Sequence, residues 1–189
     1  AGTCVINADQ AGNAAFLPAA QVSQSITINK RDQTIILTPP GMLFATASPG
    51  ILGTFISGSS LPVAVTSLTP SVCTVANVSG WQVQGLIGGT CTVAANQAGN
   101  ANYNPAPQVT LDITINKRPQ NGLFGLFVST LTFGGPSQTV SVAGGSGTGA
   151  VTFSSNNGNC TITGNSVAPA GAGACTITAT KAADAVYNS

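Results

Sequence analysis

The chain contains no histidine. That removes Ser-His and Cys-His nucleophile pairs and every imidazole metal ligand. Charge is almost as scarce: 5% of the 189 residues are charged, against about 25% in an average soluble protein. The acids Asp9, Asp32, Asp112 and Asp184 lie far apart in sequence, so no carboxylate pair for acid–base chemistry is in view. Four of the five cations pair up as Lys30-Arg31 and Lys117-Arg118, and no basic stripe forms, which speaks against nucleic acid as a partner. No run of about 18 or more apolar residues occurs, so no spanning helix and no membrane insertion is expected of this segment. The glycine-rich stretch Gly144-Gly145-Ser146-Gly147-Thr148-Gly149 lacks the Gly-Lys-Ser/Thr ending of a phosphate loop and reads as a flexible hairpin loop. No catalytic residue, cofactor or metal site is expected, and the chain does not read as an enzyme.

What is present is a hydrophobic fraction of 43%, which sets the chain apart from disordered sequences. Its surface must consist of Thr, Ser, Asn and Gln rather than ions. A net charge of +1 leaves little repulsion between copies and favours self-association.

One segment occurs three times. Cys4 opens CVINADQAGNAAFLPAAQVSQSITINKR, Cys91 opens CTVAANQAGNANYNPAPQVTLDITINKR, and Cys175 opens CTITATKAADAVYNS. The spacings of 87 and 84 residues exceed the helical solenoid repeats of roughly 33–47 residues and suit a small domain with its own core. The expected organisation is the C-terminal part of one repeat at 1–29, a complete repeat at 30–116 and a repeat lacking its last strand at 117–189. On that reading the chain is a stretch of a longer array, and the final strand could come from another chain.

Period-2 alternation rich in β-branched residues marks strands with one face in a core. It runs through Ser25–Asn29, Asp112–Asn116, Thr139–Val142 and Cys175–Thr178. Turn formers such as Pro39-Pro40-Gly41 and Gly134-Gly135-Pro136 punctuate it at spacings of about 8–12 residues. The fold class expected is all-β: tandem antiparallel β-sandwiches. The repeat boundaries at Asn29-Lys30-Arg31 and Asn116-Lys117-Arg118-Pro119 carry no glycine, which implies a stiff array. Calcium would need six to eight oxygens; Asp32 is one acid at a boundary, and Pro119 holds its place in the next repeat. The aromatics Phe44, Phe55, Phe124, Phe127, Phe133, Phe153, Trp81 and Tyr103 read as core or sheet-face residues. Tyr103 and Tyr187 share a repeat position, with Phe16 close to it. Asp184 aligns with Asn100 and Asn13, which suggests a turn role.

Cys73 and Cys160 also hold one repeat position, 18 and 15 residues before Cys91 and Cys175. The spacing predicts one local disulfide per repeat, Cys73–Cys91 and Cys160–Cys175. Cys4 then has its partner in sequence upstream; a free thiol or an intermolecular bond are the alternatives. Regular disulfides indicate an oxidising compartment, extracellular or at the cell surface. A zinc site would need four ligands where each repeat offers two cysteines.

The stretches Thr69-Pro70-Ser71-Val72-Cys73-Thr74-Val75, Gly89-Thr90-Cys91-Thr92-Val93 and Gln97-Ala98-Gly99-Asn100-Ala101-Asn102-Tyr103 resemble the tandem bacterial immunoglobulin-like repeats of large surface and adhesin-type proteins. The resemblance implies an Ig-like extracellular sandwich used as a stalk, spacer or adhesive fibre, with no catalytic residues to carry over. It departs from antibody domains, whose cysteines lie far apart in sequence and bridge the two sheets. The function expected is a structural module array or self-assembling filament of a bacterial surface protein, its partners being neighbouring repeats or other copies. The rivals are an adhesive module recognising a glycan or a host protein through its loops, and an accessory domain of a larger secreted enzyme.

Overall fold

The computed structural model describes residues 1–126, 128 and 130–189, with the side chains of these other than 54–57 and 126. Phe127 and the Phe55 side chain, both read above as core or sheet aromatics, lie outside the described residues. Every regular element among the described residues is a strand, and no helix there is long and apolar enough to cross a membrane.

The first stretch is a hairpin of β1 (Gly2–Gln10) and β2 (Ala19–Ile28). Nine strands follow: β3 (Thr34–Thr38), β4 (Leu43–Phe44), β5 (Gly50–Ile51), β6 (Gly53–Ser57), β7 (Ala64–Ser67), β8 (Cys73–Asn77), β9 (Trp81–Gly85), β10 (Gly89–Gln97) and β11 (Ala106–Asn116). The last seven are β12 (Leu123–Leu126), β13 (Gln138–Thr139), β14 (Ser141–Gly144), β15 (Val151–Ser155), β16 (Cys160–Thr163), β17 (Ser166–Pro169) and β18 (Ile177–Lys181).

Pairings recur with the sequence period. β3 pairs β6 as β12 pairs β14, and β5-β9-β8 is matched by β13-β17-β16. The register agrees in detail: Gly50 faces Val83 and Cys73 faces Gly85, as Gln138 faces Val167 and Cys160 faces Pro169. β7 pairs β10 as β15 pairs β18. The hairpins β1–β2 and β10–β11 share one register, from Gly2 opposite Ile28 and Gly89 opposite Ile115 to the bulges at Ala8/Gln10 and Ala95/Gln97. Among the described residues, all pairings between strands are antiparallel except one. β4 runs parallel to β11, Leu43 opposite Ile115, at the end of a four-stranded sheet β4-β11-β10-β7. The alternation did not disclose this contact, because a two-residue strand carries no readable period.

Two apolar clusters form among the described residues. The larger gathers Ile35, Leu43, Leu52, Val65, Val83, Val93, Ile113 and Ile115 around the cystine of Cys73 and Cys91, with Trp81 packed against it. The Trp81 indole N–H, polar tip of a half-buried ring, donates to the Val63 carbonyl at 3.2 Å. The smaller is built on Val140, Cys160 and Val167, flanked by Leu131, Phe153, Ile162 and Ile177.

Three expectations need correction. Every residue of β1 and β2 is exposed, although the alternation there predicts one buried face. Ile26 is 45% exposed while Ile113, its counterpart, is 5% exposed; no described strand lies over the hairpin's apolar side. Phe133 is exposed in a turn and is neither a core nor a sheet-face residue, whereas Phe124, exposed in β12, is a sheet-face residue as expected. The third concerns Gly144–Gly149, which is a pinned turn rather than a free loop: the Ser146 amide donates to Gln120 Oε1 at 2.6 Å, and the Thr148 amide to Asp184 Oδ2 at 2.6 Å.

Candidate functional site: the repeated boundary

A repeated set of hydrogen bonds lies where one repeat meets the next. It begins with a tight loop that occurs three times. The Asn13 side-chain oxygen accepts from the amides of Ala15 and Phe16 at 2.9 and 3.0 Å. Asn100 does the same for Asn102 and Tyr103 at 2.8 and 3.0 Å, and Asp184 for Val186 and Tyr187 at 2.8 Å each. Asn and Asp suit this work because a short side-chain oxygen reaches back to the amides two and three residues on. Gly99 enters the loop at φ +72°, where a Cβ would lie 2.5 Å from the Tyr103 carbonyl oxygen; only glycine fits there without strain. Ala183 holds the matching place in the last repeat. Its φ is not positive, so that copy of the loop is entered differently.

The second and third loops are each tied to the arginine at the second position of their own repeat. The Arg31 amide donates to Asn102 O, and the Asn104 amide to Arg31 O, both at 2.9 Å. The Arg118 amide donates to Val186 O at 2.7 Å, and the Asn188 amide to Arg118 O at 2.9 Å. These are two-bond parallel bridges, Arg31 with Tyr103 and Arg118 with Tyr187. The Arg118 guanidinium also sits 5.9 Å from the centre of the Tyr187 ring, within cation–π range. Because Asn116 ends β11 and Arg118 is already bonded into the next loop, a single residue, Lys117, joins the two.

The loop then reaches back across the boundary. The Ala1 amino group donates to Ala101 O and to Asn102 Oδ1, both at 2.8 Å. At the next boundary the Gly88 amide donates to Ala185 O at 2.8 Å. Ala1 and Gly88 hold one repeat position, three residues before their cysteines, and Ala101 and Ala185 hold another. Val186 packs against the larger cluster, which otherwise belongs to residues 30–116.

Behind the loop of the complete repeat lies a buried amide pair. Gln33 and Gln97 are 2% and 7% exposed. Gln33 Nε2 donates to Gln97 Oε1 and, at 2.7 Å, to Asn104 O, while the Ser59 hydroxyl donates to Gln33 Oε1. In the next repeat Gln120 matches Gln33 and Lys181 matches Gln97. Lys181 Nζ donates to Gly149 O at 2.9 Å, and Gln120 Nε2 is buried without a partner. An ammonium accepts no hydrogen bond, so the substitution removes the acceptor that Gln97 supplies. Composition gave no hint of this pair.

The cysteines fall as their spacing predicts. Cys73 is bonded to Cys91 and Cys160 to Cys175, with Cα–Cα separations of 5.6 and 6.1 Å. Cys4 is free and exposed. Among the described residues no three of His, Cys, Asp and Glu gather where they could hold a metal ion. Asp112, one of the scattered acids, is on the exposed side of β11 and accepts from the Thr92 hydroxyl at 2.6 Å. Compared with protein-family models, with curated proteins and with solved structures, the chain shows no match.

Proposed function

We propose that the chain is a structural array of Ig-like β-sandwich modules, with boundaries at 29/30 and 116/117. It serves as a stalk, spacer or filament of a bacterial surface protein, holding distance or bearing load outside the cell. The observation that carries this reading is the repeated boundary: the Gly88 amide meets Ala185 O at 2.8 Å, and the nitrogen at the matching position, Ala1, here a terminal ammonium, meets Ala101 O at 2.8 Å. A passive linker has no reason to reproduce such a contact. The single residue between β11 and the Arg118 bridge supports the same reading, since slack would uncouple neighbouring units.

The two cystines fit an oxidising compartment, and a surface with few charges suits contact with further copies. Small-angle scattering of the oxidised chain tests the proposal. A profile fitted by one rigid arrangement of 30–116 and 117–189 is expected. A profile that requires independently tumbling beads would overturn it.

A further inference from the structure

We infer that Asn121 is a site of spontaneous covalent modification: the Gly122 amide closes on the Asn121 side chain, and water opens the resulting ring to an aspartyl or isoaspartyl residue. The inference rests on the chemistry of one short segment, independently of the mechanical role proposed above.

Asparagine is followed by glycine twice in the chain, at Asn121-Gly122 and at Asn157-Gly158. Asparagine is a thermolabile residue, and a glycine after it puts no Cβ in the way of ring closure. The step balances with water as its one co-reactant. The glycine nitrogen bonds to the asparagine Cγ and gives its proton to solvent base. The Cγ–Nδ2 bond breaks, and the nitrogen takes up a proton and leaves as ammonia. Water then adds to one of the two ring carbonyls. Opening at one carbonyl gives aspartate. Opening at the other gives isoaspartate, whose main chain is one carbon longer.

The fold separates the two sites. The Asn157 side chain is tied at both ends: Nδ2 donates to Ala174 O at 2.8 Å, and Oδ1 accepts from the Asn159 amide at 3.1 Å. Turning that carboxamide onto the Gly158 nitrogen breaks both bonds. Asn121 is exposed, and among the described residues its side chain makes no hydrogen bond; its amide donates to the Ser146 hydroxyl at 3.3 Å. The backbone is also released there. In the complete repeat Thr34, which holds the place of Asn121, faces Ser57 in the ladder of β3 and β6. The matching ladder of β12 and β14 ends at Leu123 opposite Gly144, because Gly144 and Gly145 turn away at φ +84° and +72°. The Gly122 carbonyl accepts from the Gly145 amide at 3.2 Å, but the Gly122 amide, the attacking group, donates to nothing among the described residues. A Cβ on Gly122 would meet nothing within 4 Å, so the ring has room to close. The product strains its neighbours. Gln120 Oε1 holds the Ser146 amide at 2.6 Å on one side, and Leu123 opens β12 on the other; an extra main-chain carbon between them shifts one against the other. The new carboxylate also cancels the formal net charge of +1.

The test follows the oxidised full chain by peptide mapping and mass spectrometry during incubation at neutral and at mildly acidic pH. In the folded chain Asn121 should gain the mass of an amide-to-acid conversion several-fold faster than Asn157, and faster at neutral pH, with isoaspartate among the products. Unfolding in denaturant should bring the two rates together, because the fold is what separates them. Gly122→Ala, which has room for its methyl group, should slow the conversion of Asn121 several-fold. The proposal is overturned if Asn121 stays intact in the folded chain, if Asn157 converts there as fast, or if Gly122→Ala leaves the rate unchanged.

Discussion

Gly88 and Ala185 are joined by a hydrogen bond of 2.8 Å that crosses from one repeat to the next. A Cβ on Gly88 would collide with the Lys117 side chain at Cγ, so the close approach depends on the absence of a side chain. Gly88→Val should therefore push the two repeats apart while leaving each cluster folded. Scattering should show a broader distribution of end-to-end distances, with little change in the unfolding midpoint. An unchanged profile would mean that this contact does not set the joint.

The two cystines differ in accessibility. Cys73 and Cys91 are both fully buried at 0% exposure, whereas Cys175 is half-buried and lines an open cavity. Mild reductant should open Cys160–Cys175 first, as read by differential alkylation and mass spectrometry. Each bridge closes a loop worth about 3 kcal/mol on chain-entropy grounds. The paired substitution Cys73→Ala with Cys91→Ala should cost about that much in denaturant unfolding.

Asp184 ties its loop to the Gly147–Gly149 turn. Hydrogen bonds from the amides of Thr148, Tyr187 and Val186 lower its pKa from 3.8 to about 2. A carboxyl depressed on folding stabilises the fold above its unfolded pKa, and that contribution is lost as pH falls through the folded value. The loss should begin near pH 4 and be complete only below about pH 2. Asp184→Asn keeps an oxygen for Val186 and Tyr187, as Asn100 does for its own loop, and should flatten the acid dependence. Thermal melts of both proteins from pH 6 to pH 2 check this; parallel curves would count against it.

Lys181→Gln should restore the pair seen at Gln33 and Gln97 by giving the buried Gln120 Nε2 an acceptor. Satisfying a buried amide is worth about 1 kcal/mol net, against the loss of the Lys181 bond to Gly149 O. A small rise in unfolding midpoint is expected for the unit containing β18, and a fall would show that the lysine bond outweighs the orphaned amide.

The strands and cystines were legible because their signals are local: alternation, turn residues and cysteines at a repeated spacing. What covers a strand is not local. Ser25-Ile26-Thr27-Ile28-Asn29 and Asp112-Ile113-Thr114-Ile115-Asn116 differ only at their first residue, yet Ile28 is 56% exposed and Ile115 2%. No property of those five residues separates them; the difference lies in β4, β9 and Gly85. The Asx loop was legible from the alignment of Asn13, Asn100 and Asp184. Its bonds across the boundary were not, since they join backbone atoms whose side chains, Gly and Ala, carry no signal.

A joint fixed by backbone atoms imposes the same turn each time it occurs. In a longer run of this repeat, whatever rotation the Gly88–Ala185 contact sets would compound from unit to unit, and the run would coil into a superhelix. Its pitch would then be encoded in an amide, a carbonyl and one missing methyl group.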